Sequence, residues 1–217
     1  MGMRHVSMRC VGAVLAAGTG MLSRPAAYPV PWPRRLVAQP LKPQEFLRYG
    51  AVLEAPAGDG RAINAGHARR FDLVDDLQLG AQEGRAQLAL FRTQARAFPL
   101  RVLEMERHVL GSQTFVPLGL RRFVVVVAPA GAPPHASALA AFVTNGLQGV
   151  TLAPGTWHHA LLAVDAGDFV VVERAAARVD CDVCGVPGPA VDVELPLGLR
   201  ECAQGFSPKP LPDGASA

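Results

Sequence analysis

The segment Phe123-Val-Val-Val-Val-Ala128 decides the fold class more than any other stretch of the chain. Its length and its four consecutive β-branched residues predict a strand that is buried on both faces. Further short segments of strand character, separated by turn residues, lie at residues 88–92, 100–108, 142–144, 150–152, 160–164 and 169–173. Short strands repeated at a spacing of roughly 10 residues indicate an all-β sandwich or barrel.

Local patterns add a hairpin and two short helices. Asn145-Gly146 directly follows the strand candidate 142–144, and this dipeptide is the strongest short-range signal for a β-hairpin. Helices are predicted at residues 42–49 and, for a turn or two, at residues 137–141. A bend is predicted near Phe98-Pro99, ahead of the strand at 100–108.

The length of 217 residues and a hydrophobic content of 50% predict one folded domain, which we place at residues 36–183. Residues 1–35 have basic residues, a short apolar run and a proline-rich stretch. This is the outline of a signal peptide, and also fits an unstructured extension or a start codon assigned too early. Residues 184–217 contain six prolines and are predicted to be a tail.

Composition excludes several classes of partner. The net charge is +3, the basic residues are scattered and only 6% of residues are aromatic, so neither a duplex-binding stripe nor a stacking platform for single strands is predicted. No apolar run is long enough to span a membrane.

Four cysteines are too few for a disulfide scaffold, which favours the cytoplasm. Cys181-x-x-Cys184 could be half a zinc site or a redox pair.

The chemistry-bearing residues concentrate in two segments, and the common hydrolase, nucleotide-binding and metalloprotease motifs do not occur. On a strand, Glu104, Glu106 and His108 point to one face, which is either solvated or converges on a metal or ligand. His158 and His159 follow a turn about 50 residues later. Adjacent side chains on a strand point to opposite faces, so at most one of these histidines can join a given site.

The spacing Glu106-x-His108-x4-Gln113-x5-Gly119 resembles the first motif of the cupins, and Gly149-x5-Gly155-x2-His158 resembles the second. Glu106 and Gln113 stand where the cupin motif has His and Glu, and both can still ligate through oxygen. A closer resemblance, covering about residues 36–182, is to the ureidoglycolate lyase family. It is carried by the segments PQEFLRYGAVLE, INAGHARRFDL, ALFRTQARAFPLRVLEMERHVLGSQTFVPL, RFVVVVA, LAAFVTNGLQGVTLAPGTWHHALLAV and DFVVVER.

This resemblance implies a cupin-like double-stranded β-barrel, or jelly roll, that acts as a cytoplasmic homodimer. The implied reaction splits (S)-ureidoglycolate into glyoxylate and urea during allantoin and purine breakdown. A divalent metal, nickel in this family, is the implied cofactor, and no organic cofactor is expected. Neither a nucleic acid nor a membrane is an expected partner.

The resemblance also assigns roles to individual residues. We expect Glu104, Glu106 and His108 to be catalytic, with one of the two glutamates as the general base; in an apolar barrel its pKa would be raised. The expected metal ligands are His108, Gln113 and His158. Four further side chains are expected to bind substrate, the first two through its carboxylate: Arg70, Arg92, Asn64 and Gln94.

Two alternatives belong to other functional classes. A non-catalytic cupin that binds or senses a small molecule would use the same barrel. A metal-dependent cupin of another activity, such as an isomerase or dioxygenase, would use the same ligand positions. Glu106 and Gln113 count against the dioxygenase, which favours an intact set of three histidines and a glutamate.

Overall fold

The computed structural model describes residues 32–199. Over these residues the chain is built almost wholly of short strands, which confirms the all-β prediction. The strands, in chain order, are β1 (Arg34–Val37), β2 (Gln39–Pro40), β3 (Gly50–Leu53), β4 (Arg61–Ile63), β5 (Ala68–Arg70), β6 (Arg85–Thr93), β7 (Leu100–Val102), β8 (Glu104–Arg107), β9 (Gln113–Pro117), β10 (Phe123–Ala128), β11 (Ala140–Val143), β12 (Gly149–Leu152), β13 (Trp157–His158), β14 (Leu162–Ala163), β15 (Gly167–Ala175), β16 (Asp182–Gly185) and β17 (Val191–Glu194). Helical turns are α1 (Pro43–Phe46) and 3-10 turns at Asn64–Gly66, Ala81–Glu83 and Ala136–Ala138.

The strands form three main sheets. The central sheet has the order β16-β8-β13-β10-β11-β2, with β14 also paired to β10. The front sheet has the order β3-β12-β9-β15-β6, and the small sheet the order β1-β17-β7. A separate two-stranded ribbon joins β4 and β5. The β1–β17 and β2–β11 pairs are parallel, and the other pairs are antiparallel, as in a cupin-like arrangement of facing sheets.

Strand β10 explains why the central sheet is apolar on both faces. Val124 and Val126 pack into one hydrophobic core together with residues of the small sheet such as Val193. Val125 and Val127 point the other way, into a second core with residues of the front sheet, including Val171. The central sheet is therefore the middle layer, and the space between it and the front sheet is the interior of the barrel.

The predicted hairpin at Asn145-Gly146 is wrong. Strand β11, before it, pairs within the central sheet, whereas β12, after it, pairs within the front sheet. The Asn145 side-chain oxygen accepts the backbone N–H groups of Leu147 and Gln148, which turns the chain without pairing the strands. The same dipeptide thus closes a connection from one sheet to the other.

The predicted helices are shorter in the structure. Helix α1 lies inside the predicted range 42–49. The second begins one residue earlier than predicted, as the 3-10 turn Ala136–Ala138, and strand β11 starts at Ala140. Pairing of β11 with β10 takes the residues that a longer helix would need.

The structure also corrects the predicted domain limits. Strand β17 is the middle strand of the small sheet, and Val191 and Val193 are fully buried. The prolines lie before and after this strand and not within it, so the tail predicted from residue 184 is wrong for the segment through Glu194. At the other end the domain already includes Arg34 and Arg35, in β1. Residues 1–31 and 200–217, with Cys10 and Cys202, lie outside the described residues.

Within residues 32–199 no helix is long and apolar enough to cross a membrane.

Candidate active site

Two strand pairs of the central sheet bring the first two site residues together. Glu106 on β8 lies directly opposite His158 on β13, and His158 lies opposite Val127 on β10. Residues opposite one another in a ladder share a face, and Val127 packs in the barrel interior. Glu106 and His158 therefore point into the barrel, and Glu106 Oε1 lies 3.5 Å from His158 Nε2.

The front sheet supplies Gln113, the first residue of β9. Its side-chain oxygen Oε1 lies 3.1 Å from His158 Nε2, across the gap between the two sheets. Gln113 is opposite Leu152 on β12 and Glu173 on β15, so all three share the inward face. The site is thus built from both sheets, at one end of the barrel interior.

His108 completes the cluster from the turn after β8. Its Nδ1 contacts the Asp180 carbonyl, and its Nε2 is buried without a hydrogen-bond partner among the described residues. The His108 and His158 rings lie close, with centroids 5.3 Å apart. Ligand atoms of Glu106, His108 and His158 all lie within 4.8 Å of one another, so these three residues can hold a metal ion.

Both imidazoles are held in the same tautomer. A carbonyl can only accept, so His108 Nδ1 donates to Asp180 and His158 Nδ1 donates to the Thr156 carbonyl at 3.0 Å. In a neutral ring this leaves Nε2 without a proton, so its lone pair is free to accept a hydrogen bond or to ligate a metal. Backbone carbonyls that fix the far nitrogen are the usual support of metal-binding histidines.

The cluster therefore presents acceptors only. His108 Nε2, His158 Nε2, Gln113 Oε1 and the Glu106 carboxylate converge, and none of them offers a proton when the rings are neutral. Burying facing lone pairs costs free energy unless a cation or a proton lies between them. As metal ligands, two imidazole nitrogens and two side-chain oxygens fit a divalent transition metal.

The Glu106 carboxylate is stabilised in its ionised form. When His158 also carries a proton on Nε2, that N–H donates to the carboxylate and lowers the pKa of Glu106; the charges of protonated His158, His108 and His159 act in the same direction, and burial opposes them. For Glu106 this reverses the predicted raised pKa, because the neighbouring imidazoles outweigh desolvation. Glu106 is therefore ionised at neutral pH, the form that can ligate a cation.

The other predicted catalytic residue, Glu104, lies beside the cluster but outside it. It is exposed at the start of β8 and lines a small cavity of about 30 Å³ with Glu106 and His159. His159 bonds the Ala160 carbonyl and lies outside the cluster, which contains only His158 of this adjacent pair. A larger cavity, about 430 Å³, opens beside the turn after His108 and is lined by Val109, Leu110 and Pro154 among others.

The structure does not bring the four predicted substrate-binding residues to the cluster within this chain. Arg92 pairs with Asp168 at the far end of β15, five residues from Glu173, which is about 17 Å along a strand. Gln94 lines a separate cavity with Arg92. Arg70 is exposed and bonds Asp72, and Asn64 is exposed in a 3-10 turn. Their roles stay predictions.

The two cysteines of the C-x-x-C motif occupy different surroundings and are free thiols. Cys184 packs against the core beneath the small sheet. Cys181 Sγ lies 3.9 Å from Glu106 Oε2. Burial and then the nearby carboxylates raise the pKa of the Cys181 thiol, which keeps its proton available to Glu106.

One residue of the site was missed by the sequence interpretation. The carboxylate of Glu173 accepts the side-chain N–H of Gln113 at 2.9 Å. Glu173 follows Phe169 and Val171 at alternate positions of β15, and both of those are fully buried. A carboxylate on the buried face of an otherwise apolar strand was the available signal.

Comparison with known proteins identifies the family of this chain. A family model described as ureidoglycolate lyase matches residues 33–194. The chain is 41% identical over 150 residues to a ureidoglycolate lyase of Pseudomonas syringae pv. syringae, covering 69% of this chain and 88% of that protein. It is 40% identical over 150 residues to one of Azotobacter vinelandii, covering 69% and 90%. This chain belongs to the ureidoglycolate lyase family.

Proposed function

We propose that this protein is a ureidoglycolate lyase, which eliminates urea from (S)-ureidoglycolate to give glyoxylate. One observation carries the proposal beyond family membership: four acceptor atoms converge inside the barrel, with both imidazoles locked by backbone carbonyls. A site of this kind can take up a hydroxyl proton and hold a cation. Both are useful for splitting a carbinolamide, whose one carbon carries a hydroxyl, a carboxylate and a urea nitrogen.

The elimination needs one proton to move from oxygen to nitrogen. Glu106 is the proposed base, because its carboxylate lies in the cluster, whereas Glu104 is exposed beside it. As Glu106 takes the hydroxyl proton, the C–O bond becomes a carbonyl and the C–N bond breaks. The departing urea nitrogen then takes the proton back from Glu106. No water is added, and the carboxylate is regenerated.

His108, Gln113 and His158 are the proposed ligands of a divalent metal, with Glu106 beside them and nickel the first candidate from the family resemblance. When bound, such an ion supplies Lewis acidity toward the oxygens of the substrate. In the neutral rings of His108 and His158, the Asp180 and Thr156 carbonyls hold the proton on Nδ1 and leave Nε2 free to ligate. We expect no organic cofactor.

The test is an assay for glyoxylate and urea from racemic ureidoglycolate, before and after chelation and re-addition of Ni²⁺ or Mn²⁺. Equal release of both products, lost on chelation and restored by metal, supports the whole proposal. Release that is insensitive to the chelator keeps the lyase and removes the metal. No release under any condition, together with ligand binding measured by calorimetry, would favour the non-catalytic cupin.

We propose further that the enzyme is a homodimer whose two copies pack through the outer face of the front sheet. We also propose that it works in the cytoplasm, where Cys181 and Cys184 stay reduced. Leu88 and Leu90 on β6 are 73% and 54% exposed. They lie opposite Val172 and Val170 on β15, which extends the apolar surface. A second copy would cover it. Leu88→Glu should lower the sedimentation coefficient from dimer to monomer, whereas Leu147→Glu, at an exposed loop leucine, should not.

A further inference from the structure

The amide of Gln113 lies between two partners that constrain it from opposite sides. Its nitrogen donates to Glu173 Oε2 at 2.9 Å, and its oxygen faces His158 Nε2 at 3.1 Å. The two ends of an amide have nearly the same shape, so its partners alone decide which end faces which way. The register of β9 and β15 places Glu173 directly opposite Gln113, and the contact is therefore set by the sheet itself.

We propose that Glu173 is a positioning residue that keeps the cluster open to a metal ion, an inference that rests on the proposed metal-assisted lyase. An ionised carboxylate can only accept, so a flipped Gln113 would place its oxygen against the Glu173 oxygens. That arrangement is repulsive and leaves the buried Gln113 oxygen without a hydrogen-bond donor. Glu173 thereby fixes the Gln113 oxygen toward His158.

The alternative orientation would close the site. A flipped Gln113 would donate its N–H to the lone pair of His158 Nε2, because His158 Nδ1 is already committed to the Thr156 carbonyl. This hydrogen bond would satisfy the ring without any cation and remove two ligand atoms from the cluster. Glu173 therefore acts on metal affinity through Gln113, without touching the ion or the substrate.

The first variant is Glu173→Gln, since a glutamine at this position can pair with either orientation of Gln113. Binding of Ni²⁺ to the chelator-treated protein, measured by calorimetry, should weaken about tenfold or more, in the range typical of residues that support metal ligands. Gln148 and Glu54 form the same kind of pair, at 2.7 Å, outside the cluster. Glu54→Gln is thus the matched control and should leave Ni²⁺ affinity unchanged.

The double variant Gln113→Glu with Glu173→Gln tests the mechanism by exchange of the two groups. In this variant the side chain at position 113 is a carboxylate, and both of its oxygens are acceptors. Ni²⁺ affinity should therefore return to the wild-type value or exceed it. Wild-type affinity in Glu173→Gln, or failure of the folded double variant to recover affinity, would overturn the proposal.

A readout without metal separates this inference from the proposed function. In the metal-free protein, the imidazole ¹⁵N spectrum of His158 should show Nε2 gaining a hydrogen bond in Glu173→Gln and not in Glu54→Gln. An unchanged Nε2 signal would sink the inference even if the enzyme proves to be a nickel lyase. A shifted signal in a protein that binds no Ni²⁺ would sustain the role of Glu173 in orienting Gln113 and sink the metal site instead.

Discussion

Glu106 and His158 face each other across neighbouring strands, although the chain separates them by about 50 residues, and Glu106 Oε1 lies 3.5 Å from His158 Nε2. The ladder between β8 and β13 fixes the pair, and the lowered pKa of Glu106 follows from the contact with His158. We expect Glu106→Gln to reduce the rate of urea release by about 100-fold or more, since the amide cannot take the hydroxyl proton. Steady-state kinetics would measure the loss.

The matched variant is Glu104→Gln, which makes the same chemical change two residues away on the same face of β8. It should alter the rate only a few-fold, because Glu104 is exposed outside the cluster. A large loss of rate in Glu104→Gln, with only a few-fold change in Glu106→Gln, would make Glu104 the base.

His108→Ala should fold normally and lose both urea release and high-affinity Ni²⁺ binding. The reason is the buried Nε2, for which the described residues provide no partner. Calorimetry with Ni²⁺ and the product assay would be run in parallel. His135→Ala removes an exposed histidine whose Nδ1 caps a 3-10 turn, and it serves as the control. Unchanged turnover in His108→Ala would remove His108 from the mechanism.

Asp165→Asn should destabilise the fold by about 1–2 kcal/mol at pH 7, because Asp165 accepts the backbone N–H and the guanidinium of Arg122. Hydrogen bonds from Arg122 and its charge hold the pKa of Asp165 below its ordinary value of 3.8, against the effect of burial. The stabilisation is thus present above pH 3.8 and is lost as the pH falls through the lowered pKa.

Urea unfolding of wild type and Asp165→Asn across this range would test the sign: the two stabilities should converge in acid. Asp168→Asn is the control, because its partner Arg92 is 77% exposed and such pairs contribute little. A stability difference that persists unchanged in acid would contradict the role of the ionised pair.

Val193→Ala should cost about 2 kcal/mol of unfolding free energy, since Val193 is fully buried in the middle strand of the small sheet. Val179→Ala changes a valine that is 82% exposed and should shift the unfolding free energy by less than about 0.5 kcal/mol. If chemical denaturation gave the same small change in unfolding free energy for both variants, β17 would be dispensable and the folded domain would end earlier.

How far the sequence predicts this fold depends on how local the signal is. The bounds of β10 follow from its composition, because a run of valines has few alternatives to a doubly buried strand. Asn145-Gly146 predicts a turn correctly but not which strands it joins, since pairing is decided by distant partners. Proline counting likewise missed β17, which fits between prolines and gains its stability from burial.

The candidate site divides in the same way. Motif spacing predicts Glu106, His108, Gln113 and His158, and the structure brings all four together. Glu173 is supplied by sheet register, which the spacing of a motif does not contain. Arg92 fits the family segment, yet within this chain it lies on β6, opposite Asp168, at the end of β15 away from Glu173.

Because the site is built from two facing sheets, metal binding is coupled to local opening of the barrel. Gln113 sits on the front sheet and His158 on the central sheet, so parting the two sheets at this end of the barrel separates the ligand atoms. An ion bound only by the closed form lowers the population of the open form by mass action. Amide hydrogen exchange in β9 and β13 would then slow in proportion to the free metal concentration, and the barrel would be most resistant to opening at the end where its polar groups are buried.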